Sequence, residues 1–365
     1  MHALEGLTVL DLTRLLPGAM ATLWLREFGA EVIKVEQPGE GDYARSMNPP
    51  LFVETNRGKK SVALNLKDRR GRDAFLRLAR RADVVMEGFR PGVMDKLGVG
   101  YESLRGENPR LIYATLTGYG QEGVYRDLAG HDVNYLAMSG VLDQMGAKNG
   151  PPAMAGIQIA DLAGGTMQAV IGVLLALAAR QRTGEGQRVD VSMFHGMRAL
   201  LPVPLAIARG GSDPRRGDET LSGKYACYNV YEAAGSSWVA VGGLEPKFWA
   251  NLCCALGLEN LIADQYAPEP RQSEVKAALA ARLKEKTAEE WFAEVGSLDT
   301  CLTPVRTVAR AAPDLGGAAI PFLSGTPGAG GGGAPGLGEH TAQLLSEAGV
   351  TQEEIEIWKA AGAIA

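Results

Sequence analysis

Short β-branched and apolar runs alternate with helical stretches through the first 120 residues, and this alternation constrains the fold more than any other feature. Residues 8–12, 31–35, 61–66, 83–86 and 111–114 read as strands. Pro17 opens a helical stretch that runs to about Phe28, and Gly29 suits its C-terminal cap. An amphipathic helix near residues 69–81 has Phe75, Leu76 and Leu78 on its apolar face. Strands separated by helices are joined by crossovers, which predicts a mostly parallel sheet covered on both faces.

The pattern continues with a long helix over residues 162–180, closed by Thr183 and Gly184, and a strand over residues 188–193. Near Ser222 it changes. Residues 225–231 and 238–241 read as paired strands around Ala234 and Gly235, and helices follow near residues 247–256 and 273–286. The expected organisation is an α/β large domain over 1–205, a linker over 206–221 and a smaller α+β domain over 222–318. A Gly/Pro-rich linker over 319–338 follows, and then a C-terminal helix over 339–365 that returns to the large domain. A chain of 365 residues accommodates about two domains.

Charge narrows the partners. With 37 Lys+Arg against 42 Asp+Glu, the net charge of -5 offers no global attraction to nucleic acid or an anionic membrane. An anionic ligand must be held by a local basic patch. The four cysteines, Cys227, Cys253, Cys254 and Cys301, lack zinc-site spacing and read as reduced residues of a reducing compartment. No secretory signal is visible, and the longest apolar stretch, residues 167–179, falls short of the roughly 18 residues of a membrane span. The expectation is a cytoplasmic protein with no membrane partner and no metal.

Four stretches offer chemistry. Gly118, Gly120 and Gly123 match GxGxxG after a strand, but little helical period follows, so the motif reads as a tight loop and not a dinucleotide site. Basic and glycine-containing segments at residues 56–61, 88–92, Lys67 and Lys96 lie beside strand ends, where open α/β sheets bind ligands; as a pattern alone they read more readily as solvated surface charges. His131, one of four histidines, follows Gly130 and reads either as a structural histidine or as a proton carrier. Asp161 precedes a helix and the pair Gly164 and Gly165. It reads as a helix N-cap, as a reactive carboxylate facing a cavity left by the two glycines, or as both.

In order and spacing these segments resemble the class III coenzyme A-transferase (CaiB/BaiF) superfamily, which also contains the α-methylacyl-CoA racemases. The resemblance runs along nearly the whole chain, from Gly6 to Thr341. In that superfamily transferases use an aspartate at the position of Asp161 as nucleophile. Racemases add a histidine in a Gly-His-Asp-(Ile/Val)-Asn-Tyr motif, complete here around His131, and a glutamate in Glu-Pro-x-Phe, matched here by Glu245. The three matches place the chain nearer the racemases. Where some racemases have an arginine near coenzyme A, this chain has Gln37. The resemblance implies coenzyme A contacts at Leu64, Asn65, Leu66, Lys67, Gly88, Phe89, Arg90, Lys96, Gly130, Asp132, Val133, Asn134 and Tyr135. It also implies a Rossmann-like large domain and an interlocked homodimer whose site is shared between chains.

The reaction so implied is racemisation of 2-methylacyl-CoA thioesters in fatty acid metabolism. His131, oriented by Glu245, and Asp161 would act on opposite faces of carbon 2, and no cofactor is needed beyond the coenzyme A of the substrate itself. The alternative is coenzyme A transfer between carboxylic acids through an aspartyl-CoA intermediate at Asp161. A third reading is a non-catalytic acyl-CoA binding protein.

Overall fold

The computed structural model describes residues 1–317 and 319–365; the expected domain end at residue 318 lies outside the described residues. The chain divides into two compact units. The first comprises Met1–Val141, Ala155–Pro202 and Gly317–Ala365, and the second Leu142–Met154 and Val203–Gly316.

The first unit is built on a parallel six-stranded sheet: β1 (Thr8–Leu12), β2 (Glu31–Glu36), β3 (Lys60–Ala63), β4 (Val84–Glu87), β5 (Ile112–Thr117) and β6 (Arg188–Ser192). Their spatial order is β3-β2-β1-β4-β5-β6, and every pairing is parallel. This is a doubly wound order, in which the strand sequence reverses between β1 and β4 and leaves a crevice beyond their carboxyl ends. Burial on both faces explains the near-continuous apolar runs of β4 and β5. One face carries a core of Leu10, Ile33, Val62, Phe75, Val85 and Tyr113; each fully buried Leu or Phe contributes about 1.5–3 kcal/mol.

The helix Met167–Thr183 packs on β5 and β6 through Ala169, Val173, Ala176 and Arg180, the positions of one helical face. Its other apolar row, Met167, Ile171, Leu174 and Leu175, is 42–66% exposed. With the turn before it, Ala160–Thr183 is the one helix among the described residues long and apolar enough to cross a membrane by length and composition alone. Of its apolar window 33% is buried inside the molecule, and the stretch is longer than the residues 167–179 read from the sequence because the preceding turn is continuous with it.

Two other expectations are corrected by turn-forming contacts. The strand expected over residues 61–66 ends at Ala63; Leu64 forms an isolated bridge with Ile364, and the Asn65 N–H donates to the Ala363 carbonyl at 2.9 Å. The single C-terminal helix is two, Thr341–Glu347 and Gln352–Ala360, because Gly349 takes a left-handed φ of 83° between them. Leu344, Leu345, Ile355 and Trp358 of these helices join the core of the first unit. The glycine-rich segment before them is fastened along the same unit: the Ala329 N–H donates to Glu27 O at 2.7 Å, and the Gly58 N–H to Gly333 O at 2.7 Å.

The second unit holds an antiparallel sheet, β7 (Tyr228–Ala233), β8 (Ser237–Gly242) and β9 (Leu302–Pro304), in that order. The helices Pro246–Leu256, Arg271–Leu283 and Ala288–Val295 enclose a core with it that includes Val239, Trp249, Leu279 and Trp291. The chain is thus a mixed α/β protein with a large parallel-sheet part and a smaller antiparallel one.

Candidate active site

A cavity of about 720 Å³ opens in the first unit beyond the carboxyl ends of β1, β4 and β5, at the reversal of strand order. Its wall combines Thr13, Arg14 and Pro17 after β1, residues 88–91, Val93 and Lys96 after β4, residues 116–119 at the end of β5 and 126–131 beyond it, with Asn134, Tyr135 and Met193. Arg14, Arg90, Lys96 and Arg126 line it, and none of the four is in an ion pair among the described residues. Such a wall suits an anionic ligand, since arginine and lysine hold phosphate oxygens.

One end of the cavity is built on the loop after β5, and Asp161 stands beside it without lining the cavity. His131 precedes the helix Asp132–Ser139, and its backbone N–H donates to Asn134 Oδ1 at 3.0 Å. Tyr135 turns back so that its hydroxyl donates to the Gly130 carbonyl at 2.5 Å. That ring occupies the space a Cβ would need at Gly118, 2.5 Å away, and at Gly130, 2.9 Å away. Glycine is required at both positions by the close approach of Tyr135. Tyr119 packs edge-on against the same ring at 5.2 Å.

Asp161 lies in a π-helical turn, Ala160–Thr166, which leads into the Met167–Thr183 helix. Such turns are rare and gather at functional sites. Ile159 holds the N-cap position, so Asp161 is not the cap that its sequence context suggested. Nor do Gly164 and Gly165 leave a cavity. Met193 O would lie 2.5 Å from a Cβ at Gly164, and Pro17 and Met193 fill the space beside Gly165. The glycines instead let the π turn dock onto two residues of the cavity wall.

The Asp161 N–H donates to Asp132 Oδ1 at 3.0 Å, which ties the π turn to the residue after His131. Burial and the neighbouring Asp132 charge raise the Asp161 pKa from 3.8 to about 6, while His131 acts to lower it. Burial, Asp161 and Tyr119 push the Tyr135 hydroxyl up to about 12, so it stays protonated. Asp161 therefore loses its proton closer to neutrality than an ordinary carboxyl group does.

Among the residues singled out from the sequence, Gly88, Phe89, Arg90, Lys96, Gly130, His131, Asn134 and Tyr135 line the cavity. Asp132 and Val133 begin the helix beside it. Leu64, Asn65, Leu66 and Lys67 stand at the end of β3 and do not line it; Leu64 is buried under the C-terminal tail and Lys67 is exposed. Of the basic segment 56–61, Arg57 pairs with Glu27 at 2.5 Å, Lys60 pairs with Glu31, and Lys59 is wholly buried on Asp11. Glu245 belongs to the second unit, is exposed, and makes no side-chain cap to the Pro246–Leu256 helix it precedes. Arg14 and Arg126 were missed. Arg14 follows a strand end directly, a signal that was available, whereas nothing local marks Arg126.

A family profile described as CoA-transferase family III matches residues 4–341. An α-methylacyl-CoA racemase from Homo sapiens is 37% identical over 378 residues, covering 97% of this chain and 95% of that protein. An acetyl-CoA:oxalate CoA-transferase from Acetobacter aceti is 38% identical over 322 residues, covering 84% and 82%. A crystal structure of a CaiB/BaiF family protein from Brucella suis superposes with a TM-score of 0.83 at 30% identity, over 95% of this chain and 99% of that one.

Proposed function

The chain belongs to the class III CoA-transferase family, and we propose that it acts on coenzyme A thioesters through Asp161 by interconverting the 2R and 2S forms of 2-methylacyl groups. The observation that carries this reading is the placement of Asp161 against the His131 loop: the Asp161 N–H donates to Oδ1 of Asp132, the residue after His131, at 3.0 Å. One group takes the proton from carbon 2, and the electron pair moves onto the thioester oxygen as an enolate. The other group, already protonated, delivers its proton to the opposite face, and the next turnover runs in reverse. Backbone N–H groups near the loop supply hydrogen bonds to the enolate. Glu245, contributed by the second copy of an interlocked dimer, is proposed to orient His131.

Family relationship alone favours a second reading, coenzyme A transfer. The family carries that name, and the transferase relative is as similar, at 38%, as the racemase at 37%. In that reaction the Asp161 carboxylate attacks the thioester carbonyl and expels the coenzyme A thiolate; the thiolate then attacks the aspartyl carbonyl of the mixed anhydride, releasing the donor carboxylate and leaving an aspartyl-CoA thioester, from which the acceptor carboxylate takes coenzyme A by the same steps in reverse.

The two readings separate in heavy water. Each enantiomer of a 2-methylacyl-CoA, incubated without an acceptor acid, should gain deuterium at carbon 2 and converge on one mixture. His131→Ala should abolish interconversion. Absence of exchange, together with transfer of coenzyme A to an added carboxylate, would replace racemisation by transfer.

We further propose a non-membrane, cytoplasmic enzyme that works as an interlocked homodimer. The exposed row Met167, Ile171, Leu174 and Leu175 supports a covering partner chain. Sedimentation across a wide concentration range should give a dimer throughout; a fully active monomer would contradict it.

A further inference from the structure

Behind the cavity wall lies a cluster of buried charges that none of the chemistry above uses. Asp11, Lys34, Asp42 and Lys59 are each at most 3% exposed. Lys34 Nζ meets Asp42 Oδ2 at 2.9 Å and donates to the Thr13 carbonyl at 3.0 Å. Lys59 Nζ meets Asp11 Oδ2 at 3.0 Å, and Asp11 Oδ1 accepts from the Thr13 N–H at 2.9 Å. Asp42 accepts from the N–H groups of Leu15, at 3.1 Å, and Ala44, at 2.9 Å. Every one of these charges except Lys59 holds the backbone of residues 13–15, and Lys59 acts through Asp11.

That turn needs holding. Leu15 has φ 61° and ψ -143°, a conformation that a branched side chain adopts only at a cost and that persists where its surroundings enforce it. The residue it carries to the cavity wall is Arg14. The Arg14 guanidinium donates to Tyr43 Oη at 2.7 Å and lies over the rings of Tyr43 and Phe89, 4.8 and 5.2 Å from their centroids. These contacts leave it with no carboxylate partner among the described residues.

Taking the coenzyme A reading as given, we infer that Asp42, with Lys34 behind it, is a positioning residue for the phosphate-bearing part of the thioester. It holds Leu15 at its positive φ and so places Arg14 to meet phosphate oxygens, without touching the ligand itself. Asp42→Asn weakens this hold, because a charge-assisted hydrogen bond is about twice as strong as a neutral one. Leu15→Gly removes the need for it, since glycine adopts the same φ unaided.

Calorimetry on the full-length protein, with coenzyme A and with pantetheine, tests this. Pantetheine shares the thiol arm and lacks every phosphate. Asp42→Asn should weaken coenzyme A binding by about tenfold, the loss of one charge-assisted contact, and leave pantetheine unchanged. Adding Leu15→Gly to it should restore most of the affinity, a rescue that a merely structural role for Asp42 would not give. Arg14→Gln, at a partly exposed position where folding is not at stake, should reproduce the selective loss. Should Asp42→Asn fail to fold, Leu15→Pro deletes the N–H and forces a negative φ with all charges in place, and should show the same selectivity. Wild-type coenzyme A affinity in these variants, equal losses for both ligands, or no rescue by Leu15→Gly would overturn the inference. A wild-type protein that does not bind coenzyme A would instead remove the reading on which it rests.

Discussion

The first unit has two places where basic residues follow the carboxyl end of a strand, and they have opposite fates. Beyond β1 and β4 the chain leaves a cavity lined by Arg14, Arg90, Lys96 and Arg126. Beyond β3 the equivalent space is closed. Leu64 pairs with Ile364, the Asn65 N–H donates to Ala363 at 2.9 Å, and the Ala365 N–H reaches the Ala63 carbonyl at 3.2 Å. The difference follows from strand order. At the reversal between β1 and β4 the connections run to opposite faces and cannot fill the crevice, whereas a strand at the sheet edge is free to be capped by a returning tail. Cations beside strand ends therefore mark a binding site only where the topology leaves the space open.

The largest effect expected from perturbing the open end is that of Asp161→Asn. Turnover should fall by roughly 10²–10⁴-fold, the range for loss of a general acid or base, with the folded structure kept. Steady-state kinetics beside a circular dichroism spectrum would check both, and near-normal turnover would remove Asp161 from the chemistry. For the enantiomer whose carbon 2 proton Asp161 removes, kcat/KM should rise with pH through about 6 as Asp161 loses its own proton. Stability moves the other way. A carboxyl group whose pKa is raised on folding stabilises the protein fully below its ordinary value of 3.8, and that contribution is lost as pH rises through about 6. A pH–rate profile and thermal melts over the same range should show these opposed trends.

Smaller effects sharpen the contrast between the two ends. Arg90→Gln in the open crevice should raise KM for an acyl-CoA by about tenfold, as for one lost charge-assisted hydrogen bond. Lys67→Gln at the closed end should change it by about twofold or less, as for an exposed and screened charge. Equal losses would mean that the ligand extends across the sheet to the β3 end.

What the sequence made legible follows the range of the forces involved. β1 was readable to the residue from its run Thr8-Val9-Leu10-Asp11-Leu12, because β-branched and apolar patterning is local. The break at Gly349 had a local signal too, one that the helical periodicity around it masked. The closure of β3 did not, because the residues that plug it stand some 300 positions later, at Ala363 and Ile364. Lys59 read as a solvated charge or a ligand contact, and nothing local marked Lys34 for a buried pair. They are buried because Asp11 and Asp42 meet them from distant parts of the chain. At the site, the motif around His131 was visible as a motif, but the π turn that carries Asp161 has no sequence pattern distinguishing it from an ordinary helix start. Its coupling to Asp132 is likewise a matter of tertiary placement.

The central claim, that the crevice between β1 and β4 seats a coenzyme A thioester, is tested most directly by amide hydrogen exchange with and without a saturating, slowly turned-over acyl-CoA. Added ligand should slow exchange in residues 13–18, 88–96 and 126–135 together, and leave the core strands β4 and β5 as they were. Protection absent from all three segments, or confined to residues 64–67 and the C-terminal tail, would contradict the account.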